Sequence, residues 1–479
     1  MGQHTAKGRD DAIEGRPLLS SSDEVRPSSP TDASPTRHVS RCSWPWIYVI
    51  SLCIGVAVIS DIGESLFAAP RVRLFESVAC TDYYSTVDPS LIGRDGQVPE
   101  RLCKVDPVQD KVASILGWQF FFDSLPAILL PVPFGYLADQ YGRKWIMTLA
   151  MMGYLLSCAW PLFALGVLHL SLRSVWASSL FFLICGGPTI ATTMLTTIVA
   201  DVVPSDFRST AFFYRFCADL VAELVAPPVA SALMAKSLWS PLLLALAFQA
   251  VAVLMMAVAV PETLPVPYAQ DHSSETADSQ SATSVRQIAG VGTLYEKWQE
   301  QVRKASDSFV FLTRDATVAA LVFTFMISKV GRQASNILFQ YVSKRYGWSL
   351  SQAGMLLSLR AAVNIVLFTV ILPSIATLAL SRWGLILFTL GTGFPPILRS
   401  LVTSLVESHH ESKTSDIARL YAVISVVEGI GSLVAAPGMA LAFRIGIKLG
   451  QEWLGLPFGF AGVLFGLVAI IVFSVKVKN

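Results

Sequence analysis

Gly135-Tyr136-Leu137-Ala138-Asp139-Gln140-Tyr141-Gly142-Arg143-Lys144 is a charged stretch bracketed by glycines and set between two long apolar segments. Gly135 and Gly142 let two helix ends approach and turn tightly. Asp139 suits a helix N-terminus, where the dipole favours an anion. Arg143 and Lys144 hold the turn on the cytoplasmic face of a bilayer. The stretch predicts a short connection between two membrane helices.

The composition agrees. Of 479 residues, 53% are hydrophobic and only 15% charged, and mean hydropathy is +0.56. Soluble domains carry about 25% charged residues, so an all-α polytopic membrane protein is expected. A net charge of +2 argues against nucleic-acid binding. Residues 1–43 are rich in Ser, Pro, Arg and Asp and read as a disordered cytoplasmic tail without a signal-peptide core. Within them, Glu14-Gly15-Arg16-Pro17-Leu18-Leu19 looks like an acidic dileucine sorting signal for a vacuole or endosome.

Apolar runs of about 20 residues, long enough to cross a bilayer, follow. They are Pro45–Ala69, Val112–Phe134, Trp145–Leu168, Val175–Val199, Thr210–Met234 and Pro241–Val260. A Ser-, Asp- and Gln-rich linker and an amphipathic segment, Val285–Ser308, come next. Beyond them lie Thr317–Val342, Leu350–Leu378, Gly384–Val406, Leu420–Phe443 and Pro457–Val475. The implied domains are a bundle at 44–260, a cytoplasmic linker at 261–314 and a second bundle at 315–479. The segment from Arg71 to Lys111 reads as a loop outside the membrane, its bases offset by Glu76, Asp82, Asp88, Asp95 and Glu100. Cys80 and Cys103 share that loop; on an oxidising side, a bond between them would contribute about 3 kcal/mol.

The 135–144 stretch resembles the loop signature of the major facilitator superfamily, G-x-L-A-D-[RK]-x-G-[RK]-[RK]. Nine of its ten positions fit, with Gln140 where a base is usual. The resemblance implies two six-helix bundles, with this loop latching them together in one state. Ala222-Glu223-Leu224-Val225-Ala226-Pro227-Pro228-Val229-Ala230-Ser231 is similar to the family's fifth-helix antiporter signature, with alanines in place of glycines. Small residues there still permit close helix contact. Pro261-Glu262-Thr263 is a further family-like feature. The long first loop with two cysteines, Gly347-Trp348-Ser349-Leu350-Ser351-Gln352-Ala353-Gly354 and Gly455-Leu456-Pro457-Phe458 resemble a fungal branch. That branch is similar to proton-coupled folate and heme-carrier relatives and to efflux carriers of secondary metabolites.

The second half falls short of the family pattern by one span. Pro227 and Pro437 occupy similar Ala-Pro stretches 210 residues apart (437 − 227). Gly142 precedes the first by 85 (227 − 142), whereas the equivalent turn near Arg382 precedes the second by 55 (437 − 382). The shortfall of about one helix and a loop identifies the ninth helix as absent. A lost exon, a degenerate carrier or a rearrangement of 367–406 around Pro373 and Pro395-Pro396 would each produce it; of these, the lost exon is expected.

Charges inside a span cost roughly 2.5–3.5 kcal/mol on insertion scales, so those present are candidate functional groups. Arg215, Asp219 and Glu223 stand at i, i+4 and i+8 on one helix face. If Arg215 neutralises Asp219, Glu223 is left as the deepest unpaired acid. A carboxylate in a low-dielectric site takes up and releases a proton readily. Asp219, Asp61, Glu64, Asp123 and Glu428 are further proton-coupling candidates. Lys329, Arg332 and Asn336, with Gln333 beside them, form one stripe, and Arg360 and Asn364 another. Acids on one bundle and bases on the other suit an organic substrate bearing a carboxylate, which Arg binds bidentately. Each of these groups also has a structural reading as an interhelical ion pair.

No Walker loop, H-E-x-x-H or paired C-x-x-C occurs, so no catalytic residues, no metal and no cofactor beyond a proton gradient are expected. The reading is a monomeric secondary transporter in a lipid bilayer, exporting a small organic metabolite or drug with proton coupling. Its alternatives are an importer of an organic anion and a non-transporting carrier. The plasma membrane is the expected location, with a vacuolar or endosomal membrane as the alternative.

Overall fold

The computed structural model describes residues 45–93, 96–263, 316–366 and 414–474, together with positions 299 and 402. All of them belong to one compact unit. The described elements are all helical: α1 (Trp46–Val87), α2 (Asp106–Leu129), α3 (Pro131–Tyr141), α4 (Arg143–Gly166), α5 (Ser179–Cys185), α6 (Pro188–Val202), α7 (Ser205–Met234) and α8 (Trp239–Val258). The second half contributes α9 (Ala316–Arg332), α10 (Leu338–Tyr346), α11 (Leu350–Val366), α12 (Thr414–Leu449) and α13 (Leu456–Ser474). Eight helical segments among the described residues are long and apolar enough to cross a membrane. The amphipathic segment at 285–308, apart from position 299, lies outside the described residues, as does the stretch that bears on the ninth helix, apart from Val402.

Two boundaries differ from the sequence reading. The expected loop from Arg71 is helix: α1 runs unbroken through Pro70 to Val87. At 1.5 Å per residue its 42 residues span about 60 Å, roughly twice the hydrocarbon core. The charges that suggested a loop are neutralised locally. Buried Glu76 lies 2.9 Å from Arg73 and 2.7 Å from Lys104. The connection is therefore only residues 88–105, and it includes a 3-10 turn, Glu100–Lys104. Cys80 and Cys103 are disulfide-bonded, with Cα atoms 5.3 Å apart, tying that turn to α1.

The 135–144 stretch is likewise more helical than expected. Residues 131–141 form α3, so Gly135 sits inside a helix. The whole change of direction falls on Gly142, at φ +104°, and α4 begins at Arg143. Glu262 closes this corner: its Oε1 accepts from Arg143 N at 3.0 Å and from Thr263 N at 3.0 Å. Arg143 also pairs with Asp201 at the end of α6. The corner thus joins α3, α4, α6 and the end of α8.

The halves meet along two seams, α2 against α12 and α7 against α11. Lipid is as apolar as leucine, so close fit and polar contacts hold such seams together. Small residues allow the approach. A Cβ on Gly117 would lie 2.5 Å from the Ala440 Cβ, and one on Gly429 would lie 2.9 Å from Ile128. Ser231 Oγ and Ser351 Oγ are 2.7 Å apart across the α7–α11 seam. Ala226 and Ala230 are buried, in the close-contact role expected of the alanine-substituted signature. At the end bearing the disulfide, Arg444 makes a bidentate pair with Asp110, Lys344 pairs with Asp106, and Leu350 N donates to Glu100 Oε1 at 2.7 Å.

Candidate functional site

A cavity of about 330 Å³ opens beside α1, between α2, α4 and the broken segment that follows α4. The break is written in Gly186-Gly187-Pro188. The glycines adopt φ +102° and +152°, and α6 begins at the proline. The expected single span Val175–Val199 is therefore a 3-10 turn, a short helix, a glycine hinge and a second helix. Irregular backbone at membrane depth is tolerated where it lines a cavity, and Ser178, Phe182, Pro188 and Thr189 do line this one.

Three charged side chains face the cavity: Glu64 and Arg71 from α1, and Asp123 from α2. Asp123 is provided for by protein donors. Its Oδ1 accepts from Ser179 Oγ at 2.5 Å and from Gln119 Nε2 at 2.9 Å. Arg71 lies against two rings, its guanidinium carbon 5.8 Å from the Phe67 centroid and 5.6 Å from that of Phe120. Its Nε is buried without a hydrogen bond. Glu64 makes no hydrogen bond or ion pair among the described residues. Arg71 lies seven positions beyond Glu64, close to two full turns, so both lie on one face of α1 with their backbone positions about 10 Å apart along the axis.

Glu64 also borders a second cavity of about 70 Å³, which it shares with Asp61, Tyr154 and Arg215. There Arg215 Nη1 stands 2.8 Å from Asp61 Oδ2 and 3.7 Å from Asp219 Oδ1. A polar track thus runs from Arg215 through Glu64 to Arg71 and Asp123.

These contacts revise the expected assignments. Glu223 is not an unpaired acid, because Arg360 from α11 pairs with it across the seam. The Arg215–Asp219 pair that spacing along α7 suggested is present at 3.7 Å, and Arg215 also makes a shorter pair, 2.8 Å, with Asp61 on α1. Arg360 is consequently an interhelical partner, and neither Lys329 nor Arg332 lines the large cavity. The proposed division, acids on one bundle and bases on the other, does not describe it. Its acids and its base all come from the first half, and the second half contributes Asn336. Gln333 lines a separate cavity of about 10 Å³ at the α2–α12 seam, and Asn364 and Glu428 line none of these three. Arg71, Gln119 and Tyr154 were missed by the sequence reading. The two-turn spacing from Glu64 was a signal for Arg71, and a Gly-Gly-Pro triplet within an apolar span was a signal for the broken helix.

Paired apolar bundles around a charged internal cavity define a polytopic membrane carrier. Comparison with known proteins sharpens that class. Residues 111–473 match the Major Facilitator Superfamily. The chain is 34% identical to "MFS efflux pump atnC" of Emericella nidulans, over all of this chain and 95% of that one. It is 28% identical to "Efflux pump ustT" of Aspergillus flavus, over 95% of this chain and 94% of the relative. Among solved structures it resembles the nucleoside transporter NupG, with a TM-score of 0.55 at 12% identity over 90% of this chain and all of that one, a likeness of fold.

This chain belongs to the Major Facilitator Superfamily. It is a multi-pass membrane transporter of small organic substrates and not an enzyme.

Proposed function

We propose that the chain exports a small organic metabolite across the plasma membrane in exchange for protons, by alternating access. The observation that carries this reading is Glu64, a carboxylate without a hydrogen-bond partner among the described residues that borders both cavities. A single carboxylate can hold a proton or a cargo cation, but not both. Protonation from the outer side displaces the cargo there, and deprotonation at the inner side readmits it. That competition couples opposite movements, which is exchange. Relatives named as efflux pumps support the outward direction. The two seams of small residues supply surfaces on which the halves can rock.

The test uses inside-out vesicles from yeast expressing the chain, incubated with a metabolite extract of the source organism. The vesicle interior is made acidic, and untargeted mass spectrometry compares their contents with those of control vesicles. Compounds that accumulate only with the gradient, and not with Glu64→Gln, support the reading. Gradient-driven movement out of the vesicles, or no gradient-dependent compound at all, refutes it.

A further inference from the structure

We infer that the large cavity selects an elongated zwitterion, whose amino group pairs with Glu64 and whose acid group pairs with Arg71. The inference rests on the reading of this cavity as the transport site. Of the three charges facing it, Asp123 already accepts two hydrogen bonds from Ser179 and Gln119. Glu64 has no hydrogen bond or ion pair among the described residues, and the Nε edge of Arg71 has no acceptor. The site therefore presents an open carboxylate and a guanidinium edge without an acceptor, on one face of α1 with their backbone positions about 10 Å apart along the axis.

Burying a cargo charge is costly unless it is paired. A purely cationic cargo would satisfy Glu64 and leave the buried Nε of Arg71 without an acceptor. A purely anionic one would face two carboxylates. A molecule carrying both charges at opposite ends answers both groups at once. The remaining wall includes Phe67, Phe75, Phe120, Tyr154 and Phe182, so the body between the charges is apolar and accommodates an aromatic group. The cargo amine binds where the proton binds, so a zwitterion remains subject to the proton exchange proposed above, whereas an anion without an amine would not.

The test measures binding to the purified full-length protein in detergent, without any gradient, by isothermal titration. The probes share one body: alanyl-phenylalanyl-alanine, its N-acetyl form and its C-terminal amide. An extended tripeptide spans about 10 Å between its charged ends. The free tripeptide is expected to bind about tenfold or more tightly than either form lacking one charge. In Glu64→Gln the free and N-acetyl forms converge; in Arg71→Gln the free and amide forms converge. Equal binding of all three probes by the wild type overturns the inference, as does tighter binding of a singly charged form. The wild-type comparison needs no variant, so a destabilised variant does not rescue the idea. Selective binding without gradient-driven flux would count against the export reading alone.

Discussion

Removing the bidentate pair between Arg444 and Asp110 tests whether the polar contacts at the disulfide end hold that end closed. Arg444 Nε donates to Asp110 Oδ1 at 2.7 Å and Nη2 to Oδ2 at 3.0 Å, across the α2–α12 seam. The side chains are 34% and 29% exposed, between a surface pair and a buried one. Exposed pairs are worth about 0.2–1 kcal/mol, and breaking a buried one costs about 3–5 kcal/mol. After discounting for solvent screening, Arg444→Ala is expected to weaken the closed state by about 1–2 kcal/mol. At 1.4 kcal/mol per factor of ten, the population open at this end rises about 5- to 30-fold. With Arg143 and Lys144 on the cytoplasmic face, as the positive-inside rule leads one to expect, the disulfide end would face outside. The assay introduces Asn336→Cys, in the wall of the cavity, after Cys42, Cys53, Cys158, Cys185 and Cys217 are replaced by serine. Labelling by a membrane-impermeant maleimide from outside should accelerate by that factor. The charge-swapped pair Asp110→Arg with Arg444→Asp should restore slow labelling. Unchanged labelling in a folded Arg444→Ala protein refutes the reasoning.

Gly142→Ala forces a side chain onto a backbone at φ +104°, with its Cβ against the Glu262 carboxylate, and should cost about 1–3 kcal/mol, read as a lower melting temperature in detergent. Replacing Cys80 and Cys103 with serine should remove about 3 kcal/mol from the 88–105 connection, seen as faster external proteolysis there with the helical signal retained. Glu223→Gln should destabilise more than the double change Glu223→Gln with Arg360→Gln, because the single variant leaves Arg360 without its carboxylate; equal melting temperatures would show the pair to be idle. Transcript sequencing across the codons for 376–390 should reveal roughly 30 to 45 further codons if a helix has been lost; the alignment with the Emericella relative runs over 512 positions, 33 more than this chain has.

The class of protein was legible in the chain because a bilayer imposes a one-dimensional rule. A helix must satisfy its own backbone and carry about 20 apolar residues, and both can be read from consecutive positions. The corner at Gly142 was legible for a similar reason, since a backbone at positive φ narrows the choice of residue to glycine. The charged site was not, because an ion pair depends on which helices become neighbours. Local spacing offered Arg215 to Asp219, but α1 lies against α7 and supplies Asp61 at shorter range. The same arrangement brings Arg360 to Glu223 and removes both from the list of free groups. Arg71 looked like the start of a loop because its charge interrupts an apolar run. Only the folded neighbourhood, where Glu76 is neutralised by Arg73 and Lys104, lets α1 continue and turns Arg71 toward the cavity beside Glu64. Hydropathy along the chain sets which segments enter the membrane; the faces those segments turn to one another set which charges are left to bind cargo.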